Sequence, residues 1–384
     1  MNWIILCGGT AFLIARALTP ALSKTMTAGG LKRLNFRGNL VPTGTGLVFV
    51  MAALGSLVVP AAAAVIERFS FMTCAFGITA AALFGFVDDS LSIRELPGSK
   101  GFRGHLGMVF KGVLTGGGLK MLLGALAGLT IGVGLRGMSA FALLDGALFA
   151  LSANTMNLLD LRPGRSAKAF LLAALVGMIA IPSLSSRLVT ACLAGAVLGY
   201  VRHDLKAKTM MGDCGANALG AGLALSWLLG AGTTARLVLF AAMLIVQVLL
   251  EIARHGLPCG PLPCPNVGAT SPMSLAGSLV QQNAENLAAI TLVQLANPGN
   301  PVVYCGRLSV LNMRSGAPIW GNPEVGLMSA GTVQLGHHYK LPVNVYGLAD
   351  SGYAADMQSG YERAINALVP ALAGADELSG VGEM

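Results

Sequence analysis

Glu251-Ile-Ala-Arg-His255, followed by Gly256-Leu-Pro-Cys-Gly-Pro-Leu-Pro-Cys-Pro265, divides this chain of 384 residues in two. Proline lacks the backbone donor a helix needs and clashes with the preceding turn, so Pro258, Pro261, Pro263 and Pro265 end any helix arriving there. Before this stretch the chain is a succession of long apolar runs; after it, short apolar strands alternate with amphipathic segments. The boundary therefore predicts a membrane-embedded domain over residues 1–255, a Pro/Gly/Cys linker over 256–264 and a second domain over 265–384.

Working backward, hydrophobic residues make up 54% of the chain and charged ones 11%, against roughly a quarter charged in an average soluble domain. Runs able to cross a hydrocarbon core, which needs about 20 helical residues, fall at 3–20, 44–66, 69–87, 118–135, 138–158, 168–184, 187–201, 213–230 and 235–252. The expected fold class is an all-α polytopic membrane protein of about nine spans, followed by a partial α/β segment of TIM-barrel type. Lys and Arg crowd alternate loops: Lys24 to Arg37, Arg94 to Lys120, Arg162 to Lys168 and Arg202 to Lys208; the opposite loops hold Arg68, Arg136, Arg187 and Arg236 singly. This asymmetry predicts a multi-pass plasma-membrane protein with its N-terminus outside and its C-terminal segment cytoplasmic. The net charge of +8 then reads as topology, and no nucleic-acid partner is expected. The run from Trp3 to Leu18 lacks a basic leader and reads as the first span, not a cleaved signal.

Seven cysteines predict no disulfide framework. Cys7, Cys74 and Cys192 sit in apolar runs as small hydrophobes. Cys259 and Cys264 lack the second pair or histidine that a zinc site requires.

Carboxylates beside a bilayer are costly and tend to mark function. Here they fall in three patterns on the expected cytoplasmic side: Gly85-Phe-Val-Asp-Asp89, Asn154-Thr-Met-Asn157-Leu-Leu-Asp160 and Met211-Gly-Asp213-Cys-Gly215. Spacing of three places Asn154, Asn157 and Asp160 near one helix face. Together the patterns resemble the polyprenyl-phosphate N-acetylaminosugar-1-phosphate transferases. The resemblance implies transfer of a sugar 1-phosphate from a UDP-aminosugar to polyprenyl phosphate, with release of UMP, at a membrane-lipid interface. It also implies Asp88, Asp89 and Asp160 as catalytic groups, and Asp213 as ligand to Mg2+, with Mn2+ as substitute. Asn154, Asn157 and Lys208 become substrate contacts, although Lys208 also belongs to the basic loops that topology alone explains.

Beyond Pro265 the pattern predicts a helix at about 273–296, a strand at 301–304, a helix at 324–339, a strand at 342–346 and a helix at 358–373, an alternation typical of parallel βα units. Asn266-Val-Gly-Ala-Thr-Ser-Pro272, Asn297-Pro-Gly-Asn-Pro301-Val-Val-Tyr304, Met313-Arg-Ser-Gly316 and Asp356-Met-Gln-Ser-Gly-Tyr-Glu362 resemble the trimethylamine methyltransferase family, whose members pass a methyl group to a corrinoid protein. The resemblance implies a barrel fragment with strand-end residues Tyr304, Arg314, Asp350 and Gln358 at its site. It also implies that Gly380-Val-Gly-Glu-Met384 halts close to a position that can be pyrrolysine, encoded by an amber codon.

The main functional expectation is therefore the phosphosugar transferase. The alternatives are a trimethylamine:corrinoid methyltransferase, and a fusion product without function.

Overall fold

The computed structural model describes residues 2–91, 116–352 and 354–380. The predicted basic-loop residues Arg94, Lys100, Arg103 and Lys111, and the expected pyrrolysine-proximal end at 381–384, lie outside the described residues. The described chain is mostly helical and separates into two compact units, residues 1–247 and 248–384.

The first unit is built from α1 (Asn2–Ala28), α2 (Leu47–Ala62), α3 (Arg68–Leu91), α4 (Gly116–Arg136), α5 (Ala140–Leu159), α6 (Arg165–Ala180), α7 (Leu184–Leu205) and α8 (Gly212–Gly230). The next helix, α9 (Thr233–Arg254), runs across the division between the units. Each of the nine apolar runs read from the sequence coincides with one of these helices. Among the described residues six helices are long and apolar enough to cross a membrane, a statement of length and composition; α2, of 16 residues, is a shorter apolar helix.

Helix ends are brought together by residues without side chains. At Gly85 a Cβ would run into the backbone of Asp213 and Cys214, so α3 and α8 touch at the level of the acidic motifs. Gly212 opens α8 at φ +69°, a left-handed conformation that favours glycine. An antiparallel hairpin of β1 (Lys32–Leu34) and β2 (Leu40–Pro42) interrupts what the sequence presents as a basic loop. Its turn is held by the Asn35 Oδ1, which accepts from the Arg37 and Asn39 amides at 2.9 and 3.0 Å.

In the second unit the expected linker is not free. Cys259 donates its amide to Pro301 O (3.0 Å) and accepts from Val303 N (2.9 Å), while Arg307 N donates to Pro263 O (3.2 Å). Proline has no donor but keeps its acceptor, so a proline-rich strand can line an edge one-sidedly. Then follow β3 (Asn266–Val267), α10 (Leu275–Ala296), β4 (Tyr304–Gly306), β5 (Ser309–Leu311), β6 (Pro318–Ile319), α11 (Pro323–His338), β7 (Val343–Tyr346), α12 (Met357–Leu372) and β8 (Glu377–Ser379). β4, β7 and β8 form a three-stranded parallel sheet, with α11 leading from β6 to β7 and α12 from β7 to β8. β3 pairs parallel to β5, and β5 and β6 form an antiparallel hairpin.

The starts of the helices follow capping chemistry. Ser274 Oγ accepts from Gly277 N at the start of α10, Asp356 Oδ1 from Ser359 N at the start of α12, and Pro323 occupies the first turn of α11. Tyr304, Val333, Val343 and Val345 make the buried core between sheet and helices.

Candidate functional site

In the first unit, residues far apart in sequence meet where α3, α4, α5 and α8 converge. The Lys120 ammonium pairs with Asp213 and lies 3.7 Å from Asp88 Oδ2. The Asn157 amide donates to Asp213 Oδ2 at 3.1 Å. Asp89 is fully buried; its Oδ2 accepts from Cys214 N at 3.1 Å, and Arg33 of the β1 strand lies 3.9 Å from Oδ1. Members of all three acidic patterns thus share one place, and Lys120 and Arg33 supply the compensating charge. Sequence reading had assigned those two cations to basic loops.

The other expected residues stand apart from this cluster's hydrogen bonds. Asn154 is half-buried one turn earlier on α5. Asp160 caps the C-terminus of α5 and lines a small pocket with Asn35, Phe36, Arg162, Asp204 and Met210. Burial, reinforced by the charges of Asp204, Asp213 and Asp89, pushes the Asp160 carboxyl well above the usual range. Lys208 is exposed on the loop after α7. Asp213, expected to hold a metal, accepts the Lys120 ammonium and the Asn157 amide. Among the described residues no three His, Cys, Asp or Glu side chains gather to hold a metal ion, Cys259 and Cys264 included.

In the second unit the strands sit later than expected. β4 begins at Tyr304, so this tyrosine opens the strand and cannot stand at its C-terminal end. Its ring is buried in the core, its hydroxyl donates to Asn283 Oδ1 at 2.9 Å, and burial followed by the neighbouring Tyr339 pushes its pKa up to about 12. Arg314 is exposed in the β5–β6 turn, and Gln358 is exposed on the first turn of α12, donating to Glu362 Oε1 at 2.8 Å.

Asp350 does follow a parallel strand, β7. It is buried and accepts from the Ser359 hydroxyl and from Arg363 Nε at 2.9 Å. Desolvation works to raise its pKa, but these two partners outweigh burial and hold the carboxyl below the usual range.

Arg307, directly after β4, sets its guanidinium 4.3 Å over the ring of Tyr346 at the end of β7. Trp320 meets the same tyrosine edge-on at 5.0 Å. Trp320 is itself fixed: its amide and that of Gly321 both donate to Ser351 Oγ at 3.1 Å, and its carbonyl accepts from Asn366 at 3.0 Å. Glu362 Oε2 accepts from Ser351 N at 2.8 Å, locking the loop after β7 onto α12. Sequence reading missed Arg307, Trp320 and Tyr346. A correct strand boundary would have found the first and last, since the strand-end position is the one that carries chemistry in parallel βα units.

Residues 237–378 match the family model for trimethylamine methyltransferase. The match starts inside α9, upstream of Pro265. A trimethylamine methyltransferase from Methanosarcina acetivorans is 42% identical over 136 residues, covering 35% of this chain and 28% of the relative. One from Desulfitobacterium hafniense is 38% identical over 136 residues, 35% of this chain and 27% of the relative. A glycine betaine methyltransferase from the same species is 40% identical over 107 residues, 28% of this chain and 22% of the relative.

These findings overturn the phosphosugar-transferase reading, because the family recovered is one of methyltransferases. They lend no support to a UDP-aminosugar donor, a polyprenyl phosphate acceptor or Mg2+. The three acidic patterns are short and built from common residues, whereas the C-terminal similarity extends over more than a hundred positions. Residues 237–378 are therefore similar in sequence to the trimethylamine methyltransferases, and the chain spans only about 28% of the length of the curated relatives it matches.

Proposed function

We propose that the second unit is a piece of a βα barrel that takes a methyl group from a methylated amine and passes it to a corrinoid protein. The observation that carries this reading is the 42% identity with a trimethylamine methyltransferase. Trp320, fixed beside the end of β7, supports it. A quaternary or protonated methylamine is a cation with an apolar skin, and aromatic faces bind such groups.

Trp320 supplies that wall, and Ser351 and Asn366 hold it in place. The corrinoid belongs to the partner and supplies the methyl acceptor. The residues of this chain orient the amine and keep water from its methyl groups. Replacing the corresponding segment of the Methanosarcina acetivorans enzyme with residues 248–380 tests the reading. The folded chimera is expected to methylate the corrinoid protein from trimethylamine; a folded chimera without turnover overturns it.

We also propose that α1–α9 lie in the plasma membrane with the basic loops in the cytoplasm. The length and apolarity of six helices support this. In a Cys264→Ser background, Lys208→Cys is expected to label only from the cytoplasmic side and Met138→Cys only from outside. The reverse sidedness overturns the orientation.

A further inference from the structure

Helices α1 and α7 run against each other with almost nothing between their backbones. A Cβ on Gly195 would strike the carbonyl of Gly8, one on Gly199 that of Phe12, and one on Gly8 would stand 3.3 Å from the Ala191 carbonyl. Residues without side chains at such a seam let two helices approach more closely than ordinary packing permits. A cysteine flanks this contact on each helix: Cys7 precedes Gly8, and Cys192 follows Ala191. Both side chains are buried, and the two thiols hydrogen-bond to each other across the seam.

A buried thiol is often no more than a small apolar filler, which is how the sequence presents these two. Their meeting is what sets them apart. A disulfide requires Cα atoms about 4.4–6.8 Å apart and side chains aimed at each other. The glycine contacts bring the two backbones to that range, and the thiol hydrogen bond shows the side chains already facing. The pair lies outside residues 237–378, so it is independent of the amine chemistry proposed above.

We propose that Cys7 and Cys192 form a dithiol–disulfide couple whose oxidised state staples α1 to α7. The oxidant is itself a disulfide, small or protein-borne. One cysteine thiolate attacks it and expels a thiol; the other cysteine thiolate then attacks the mixed disulfide and expels the second thiol. One S–S bond breaks and one forms, and two electrons and two protons leave with the expelled thiols. The bond joins residues that enclose nearly half the chain, so it restricts the unfolded state strongly and favours the packed helices.

Full-length protein in detergent, equilibrated in glutathione buffers of rising oxidised fraction just below its unfolding temperature, tests the couple, since transient opening lets buried thiols exchange there. After acid quenching, denaturation and alkylation, the peptides carrying Cys7 and Cys192 are expected to be joined at the oxidising end and alkylated separately at the reducing end. Cys264, which is exposed, should carry glutathione in the oxidising buffers and so reports that the oxidant is active. Cys7→Ser should leave Cys192 unjoined, and Cys192→Ser should leave Cys7 unjoined. Oxidation should raise the unfolding temperature by roughly 5 °C, a shift that vanishes in both variants. Glutathione on Cys264 with Cys7 and Cys192 still free, a bond from Cys192 to Cys74 in place of Cys7, or an unfolding temperature indifferent to oxidation would overturn the proposal.

Discussion

In the first unit Ile5, Leu13, Met72, Leu83, Leu126 and Ile179 lie more than half exposed, while Asp89, Asp145, Asp204 and Arg236 are buried. In the second unit the buried polar groups are largely amides and hydroxyls: Gln282, Asn286, Ser278, Ser329, Thr332 and Asn366. Asp350 is the one buried charge there among the described residues. The difference lies in how each unit compensates polarity. Asp145 sits between Arg236 Nη1 at 2.5 Å and Arg136 Nε at 3.2 Å, and Arg236 also donates to the Leu228 and Ala231 carbonyls. Asp145 and its two arginines thus neutralise one another directly, while Asp204 accepts from the Gly164 amide at 2.6 Å. The second unit satisfies neutral groups against backbone: Asn286 Nδ2 on Cys305 O at 2.7 Å and Ser329 Oγ on Tyr346 O at 3.0 Å. Arg136 and Arg236, which the sequence presents as lone markers of outer loops, are the partners of one buried carboxylate.

Removing one partner of a buried pair exposes the contrast most strongly. Arg236→Met should cost about 3–5 kcal/mol, because Asp145 would remain buried with one cation in place of two. Denaturant or thermal unfolding in detergent measures it, and a loss under about 1 kcal/mol would show that Arg136 compensates alone. Arg236→Met with Asp145→Leu should recover much of the loss.

Asp350 brings the same physics into the second unit. A carboxyl whose folded pKa is depressed binds a proton less readily folded than unfolded. Its stabilisation is therefore complete above the unfolded pKa of about 3.9 and is lost as pH falls through the folded value. Asp350→Asn should cost about 1–3 kcal/mol at neutral pH and flatten the acid side of the stability profile. A parallel downward shift at every pH would remove the ionised carboxylate from the explanation.

Tyr304→Phe deletes one neutral hydrogen bond, to Asn283, and keeps the ring. About 1 kcal/mol of destabilisation is expected, less than for either charge. A larger loss would mean that the Asn283 and Tyr339 contacts form a cooperative network. Arg314→Ala, on an exposed turn, should stay within about 0.5 kcal/mol. A tenfold fall in amine turnover in the chimera described above would restore Arg314 to the site.

Long periodic or apolar segments were legible before any coordinates. The nine apolar runs became helices, and α10, α11 and α12 start within two residues of where the pattern places them. The three acidic patterns were also visible, and the fold does bring Asp88, Asp89, Asn157 and Asp213 together. Visibility did not confer meaning. The patterns pointed to sugar-phosphate chemistry, while the extended similarity, over residues 237–378, is to methyltransferases. β1, β2, β3, β5, β6 and β8 escaped notice because two or three residues carry no readable period.

What the sequence by itself determined is whatever depends on neighbours along the chain: helix length from apolar runs, the break at Pro258 to Pro265, and similarity to a family. Tertiary structure alone decided which charges meet. Lys120 reaches Asp213 across 93 residues, Arg236 reaches Asp145 across 91, and Trp320 is anchored by Ser351 across 31, a stretch that holds α11 and β7. A carboxylate's partner is set by distance in space and by the dielectric around it, and neither is a function of spacing along the chain.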